Sequence, residues 1–162
     1  LRSYRPTLLV SSAIRRAIDT ATPIAIACGL PPQTVEPLHE RRMGPLSGQL
    51  RAVGVRAYHD AKQRWESGEL NWTHEGGESY ADIRARVLPV WQELAARASG
   101  QTMVIVAHGV VIRVLITTLV EGLSHADFSR IGIDHVAVND LRWDGSRWRG
   151  AGLNQKLVEL DL

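Results

Sequence analysis

The stretch "TMVIVAHGVVIRVLITTLV", Thr102 to Val120, is almost wholly apolar, yet it carries His108 and Gly109 in its middle. It parses as strand, tight turn and helix. "TMVIVAH" reads as a strand apolar on both faces, the kind that lies inside a parallel sheet. "VVIRVLITTLVEGL" reads as a helix ending at Gly122. His108 then stands at the carboxyl end of a buried strand, and Gly109 opens the next helix. Open α/β sheets bind ligands at the carboxyl ends of their strands. A helix N-terminus offers an anion free N–H groups and partial positive charge, and glycine lets that backbone approach closely. The junction predicts an anion pocket with an imidazole in it. A core histidine bonded to a backbone carbonyl is the competing reading.

The chain has 162 residues, 44% of them apolar and 22% charged. That balance fits one globular domain with its own core. The net charge of +2 is spread along the chain. No Lys/Arg block interleaves with aromatics, which argues against a nucleic-acid partner. Cys28 is alone. It leaves no internal disulfide and fits a reducing, cytoplasmic setting. The run from Met103 to Leu123 is long enough to tempt a membrane reading, but His108, Arg113 and Glu121 interrupt it. An Arg at a bilayer centre costs roughly 2.5–3.5 kcal/mol on insertion scales. No signal peptide is visible.

Outward from the opening stretch, strands and helices alternate. "TLLVSS" (7–12) reads as a short buried strand. A helix follows from Ala13, with Ser11 or Ser12 as its cap and Pro23 ending or kinking it, or starting a further turn. "TVEPLHE" (34–40) looks extended, and Pro37 confines it to an edge or short strand. Helices are predicted over roughly 52–66 and from Ser79 to Ala98, the second bent near Pro89. "SHADFSRI" (124–131) reads as a short helix capped by Ser124, and "DGS" (144–146) as a hairpin turn. The pattern predicts a three-layer α/β domain with a mainly parallel sheet and helices on both faces.

Three further segments carry candidate chemistry. "SSAIRRA" (11–17) puts Arg15 and Arg16 in the first turn of a helix, where a guanidinium opposes the dipole unless an anion compensates. A solvated pair, Arg15 with Asp19, explains it equally. "LHERRMGPLSG" (38–48) places Glu40 at a strand end beside His39, Arg41 and Arg42. It is a proton donor if its pKa is raised, or a surface ion-pair cluster. "GGES" (76–79) offers Glu78 and Ser79 to a substrate anion, or merely caps a helix.

In this order and spacing, the four segments resemble the histidine phosphatase superfamily, the phosphoglycerate-mutase-like fold. "SSAIRRAIDTA", "LHERRMGPLSG", "GGES" followed by "RARV", and "VIVAHGVVIRVL" are each similar to one of its elements, and together they span nearly the whole chain. The resemblance implies catalysis through a phosphohistidine. It makes Arg16 a phosphate clamp, His108 the second histidine and Glu40 the acid/base. Ser12, Gly109, Arg41, Arg42, Glu78 and Ser79 would bind phosphate or substrate. It implies neither metal nor cofactor, and a small phosphorylated metabolite as substrate.

The sequence departs from the family at one place. The attacking histidine belongs to an Arg-His-Gly motif on an initial strand, and no "RHG" occurs here. Leu1 in place of Met, with the other motifs intact, favours a domain that is N-terminally incomplete by roughly 30–40 residues, the size of such a unit. A truncated reading frame or a non-catalytic relative would account for it too. Such a chain is expected to be inactive alone and to expose a strand edge beside His108, so that it is unstable, forms a homodimer through that edge, or holds the missing strand as a separate piece. The 68 residues from Glu40 to His108 leave no room for a mutase-type insertion. That favours the compact phosphatase branch over a mutase or a non-catalytic phosphate-binding domain. Loops near Arg41, Arg42, Trp65, Trp72 and His74 are expected to set the substrate.

Overall fold

The computed structural model describes residues 1–156. Strand β1 (Leu8–Ser12) lies at the centre of a three-stranded parallel sheet, with β2 (Gln33–Val35) on one side and β3 (Met103–Val106) on the other. Leu9 and Val10, pointing to opposite faces, are both fully buried, as a strand covered on each side requires. Helix α1 (Arg15–Cys28) follows β1 and leans on β1 and β3. Val90 and Leu94 of helix α3 (Tyr80–Arg97) pack on Val10, Met103 and Ile105. The predicted α/β class with a mainly parallel sheet is the observed one.

Several local expectations shift. Pro23 does not end α1, which stops at Gly29 in the left-handed region (φ 67). A proline inside a helix loses one backbone bond; α1 runs on through it, with Ala17 and Ala21 buried in the preceding turns. Neither Ser11 nor Ser12 is its N-cap; Ile14 is, without a side-chain cap. Residues 34–40 divide into β2 and a 3-10 turn at Glu36–Leu38, because Pro37 suits a turn and cannot donate to a ladder. Helix α3 continues through Pro89. Helix α4 (Gly109–Leu119) stops short of Gly122, which follows in the left-handed region (φ 81). The four residues of β3 are half-buried rather than fully buried. Among the described residues their strand has a neighbour, β1, on one side only.

Helix α2 (Arg51–Glu66) and α4 pack with α3 around a second core. There Trp65 meets Phe128 edge-to-face at 5.5 Å and Tyr80 at 6.1 Å. Trp65 is completely buried. It is a core packing residue, one of the two roles, lid or packing, favoured for the aromatics near these loops. The short helix His125–Asp127 has the predicted Ser124 cap. Strands β4 (Val138–Trp143) and β5 (Trp148–Gln155) form the predicted antiparallel hairpin, a separate two-stranded sheet. Its turn is held by the Asp144 carboxylate, which accepts from Ser146 and Arg147 N–H. No described helix is long and apolar enough to cross a membrane.

Candidate active site

Parallel pairing builds the site. The registers Ser11↔Val106 and Ser12↔Val35 align three strand ends at one edge of the sheet. Whatever follows each strand must meet there: Ser12, the turn 36–40, and His108. The Ser12 hydroxyl lies 2.9 Å from His108 Nε2 and accepts the Ile14 N–H at 3.2 Å. The hydroxyl thereby ties His108 Nε2 to the end of β1 and to the first turn before α1. His108 is 5% exposed. Burial pushes its pKa down to about 4, and the positive fields of Arg16, His39 and Arg86 add to that. The imidazole is neutral near pH 7 and looks out on a cationic neighbourhood. His108 is itself the N-cap residue of α4, with no side-chain cap bond. The first N–H groups of α4 are left for a ligand.

Gly109 is the first residue of α4. A Cβ there would meet only Arg113 Nη1 at 3.7 Å and Ile133 at 4.0 Å, which is ordinary contact. Among the described residues, packing does not demand a glycine at this position.

The Glu40 segment is held from below. Arg86 of α3 makes a two-pronged ion pair with Glu78, Nε to Oε1 at 2.7 Å and Nη2 to Oε2 at 3.0 Å. It also donates to the Pro37 carbonyl. Glu78 Oε2 accepts the Arg42 N–H at 2.8 Å, and the Glu78 N–H donates to the Arg42 carbonyl at 2.9 Å. Residues 37–42 are thus strapped to the start of α3. Burial works to raise the Glu78 carboxyl, but Arg86, the Arg42 N–H and His39 hold it below the usual carboxylate range. The crossing is tight: a Cβ on Gly44, at φ 56, would stand 2.6 Å from the Gly76 backbone.

Glu40 is half-buried, its Oε1 accepting the N–H of Arg41 at 2.9 Å. His39, nearly buried, has Nδ1 2.7 Å from the Glu40 carbonyl. That contact makes Nδ1 the donor, and Nε2 lies 3.7 Å from Glu36 Oε1.

Among the predicted site residues, the sheet edge brings Ser12, Arg16, His108 and Gly109 together, with Glu40 next to His39. The other four are Arg41, Glu78, Ser79 and Arg42. Arg41 turns inward, 5% exposed, donating to the Glu78 carbonyl at 2.8 Å with its guanidinium 4.6 Å above the Trp65 ring. There it braces the loop. Glu78 is committed to Arg86, and Ser79 to a capping box with Asp82 that opens α3. Arg42 remains exposed beside Glu36. His39 and Arg86 are the site members sequence reasoning missed. A signal for Arg86 existed: it falls between Ile83, Val87 and Val90 on the inward stripe of α3, where a charge needs a partner.

Comparison with known proteins agrees with this fold. A family model described as the histidine phosphatase superfamily (branch 1) matches residues 1–156. The chain is 29% identical to glucosyl-3-phosphoglycerate phosphatase of Mycolicibacterium vanbaalenii, over 93% of this chain and 77% of that protein. It is 27% identical to the metal-independent phosphoserine phosphatase of Arabidopsis thaliana, over 91% of this chain but only 63% of the plant protein. The native structure of a mycobacterial glucosyl-3-phosphoglycerate phosphatase superposes with a TM-score of 0.81 at 29% identity, covering 96% of this chain and 80% of that one.

Proposed function

Because the chain belongs to the histidine phosphatase superfamily, we propose that residues 1–162 supply the phosphate clamp and the acid/base of a phosphomonoesterase that works through a phosphohistidine. The observation that carries this reading is the neutral His108 at the mouth of α4, facing Arg16, His39 and Arg86. Charge on a transferring phosphoryl group spreads over its equatorial oxygens, and catalysis there is mostly positioning and electrostatic stabilisation. Arg16, His108 and the Gly109 N–H hold those oxygens. In the first step an imidazole attacks phosphorus, the ester P–O bond breaks, and Glu40 gives its proton to the departing alkoxide. In the second, Glu40 takes a proton from the water that cleaves the P–N bond. No Arg-His-Gly occurs among the 162 residues, so the attacking imidazole is not assigned to any of them. The substrate is a small phosphomonoester, as it is for the glucosyl-3-phosphoglycerate and phosphoserine phosphatases the chain resembles.

The test is hydrolysis of p-nitrophenyl phosphate by the chain joined to an upstream Arg-His-Gly segment of the family type. We expect turnover at acidic to neutral pH, and a loss of about a hundredfold or more in kcat/KM for Glu40→Gln and for His108→Ala. Near-normal turnover in either variant would sink the assignment. Phosphate binding with no turnover would leave a non-catalytic phosphate-binding domain.

A further inference from the structure

Arg113 is the sole charged residue of α4, and nothing in the reading above uses it. A helical side chain leans toward the N-terminus, so Arg113 lies along α4 with Nη1 3.7 Å from where a Gly109 Cβ would stand. Two contacts hold it there. Its Nε donates to the Ile131 carbonyl at 2.8 Å, and its Nη1 donates to the Tyr58 hydroxyl of α2 at 3.3 Å. Its guanidinium also sits 5.8 Å from the Phe128 ring centre. Both hydrogen-bond partners are neutral, and among the described residues no carboxylate pairs with Arg113 within 4.0 Å. A half-buried cation rests beside the positive end of a helix, where an anion belongs. The Tyr58 hydroxyl accepts from Arg113, and its own proton has no acceptor among the described hydrogen bonds.

We propose that Arg113 and Tyr58 form a second anion subsite, which receives a carboxylate that the substrate carries close to its phosphate. The subsite rests on the phosphate reading of the pocket at His108. Gly109 links the two, being the residue after His108 and the one Arg113 faces. A planar guanidinium with unused N–H donors, joined by one hydroxyl donor, matches the two oxygens of a carboxylate. A second phosphate dianion would need more than one cation. Binding there would give Arg113 its missing counter-charge and give the Tyr58 proton an acceptor. The subsite makes Arg113 and Tyr58 specificity-determining for phosphorylated hydroxy acids over phosphorylated alcohols.

The test is calorimetric binding to the 162-residue chain of three probes: inorganic phosphate, glycerol 3-phosphate and 3-phosphoglycerate. The last two differ by one carboxylate. We expect the wild type to prefer 3-phosphoglycerate by about tenfold or more, as a charge-assisted hydrogen-bonded contact provides. Arg113→Gln should abolish that preference and leave inorganic phosphate affinity within about twofold. Arg113→Lys should restore part of it, and Tyr58→Phe should reduce it while leaving the fold unaltered by circular dichroism. Equal weakening of all three probes in Arg113→Gln would place Arg113 in the phosphate cradle and overturn the subsite. So would a wild type without preference. If no probe binds the wild type, the phosphate reading fails and the subsite with it.

Discussion

At the scale of single residues, His108 decides the most. Its neutral state follows from burial first and from neighbouring cations second. The sign of the linkage is set by its folded pKa of about 4 lying below the ordinary 6.5. The unfolded chain takes up the proton first as pH falls. Stability is therefore unaffected by this group above about pH 6.5 and declines between 6.5 and 4, by about 3 kcal/mol for a shift of that size. We expect urea titrations to show that decline in the wild type and a flatter profile in His108→Gln. A bound phosphate dianion reverses the local field, so saturating phosphate should raise the His108 pKa, read from its imidazole NMR shifts. An imidazole titrating near 6.5 in the empty protein would contradict the buried, cation-flanked site.

At the scale of elements, the strand-His-Gly-helix junction was legible because its signals are local: an apolar run, an interrupting imidazole and a glycine at a helix mouth. Arg41 and Arg42 were not separable that way. They are neighbours of one residue type in one loop, and only the packing of Trp65 and the crossing at Gly44 turn one inward and leave the other outside. The strap between Glu78 and Arg86 was hidden for a like reason, since the partners lie eight residues apart and meet only after the loop at 37–42 docks between them. Its energetics can be measured. Both side chains are mostly buried, and removing one partner leaves the other's charge uncompensated. We expect Arg86→Met to cost about 3–5 kcal/mol of stability. Arg86→Met with Glu78→Leu should recover part of that loss. A double variant as unstable as the sum of the two single ones would show that the pair is not coupled and the loop is held otherwise.

At the scale of the whole molecule, the sheet order β2-β1-β3 makes β3 an edge strand among the described residues; the alternation of strands and helices does not show this, and the expectation of an open edge beside His108 rests on the absent Arg-His-Gly unit alone. Periodicity reports which residues are apolar, not how many neighbours their strand has. Met103, Val104, Ile105 and Val106 suit a strand covered on all sides, yet each is half-exposed. Their outer backbone groups face no partner strand among the described residues, and an apolar edge of this kind is a template for pairing. We propose that the 162-residue chain self-associates through β3, and we expect sedimentation equilibrium to show a mass that rises with protein concentration. A lysine on an edge strand discourages such pairing, so Val104→Lys should shift the chain toward monomer while thermal unfolding stays cooperative. A wild-type chain that stays monomeric at every concentration would refute pairing through β3. A variant that associates as strongly as the wild type would move the contact elsewhere, with the exposed Trp143 of the hairpin the next surface to substitute.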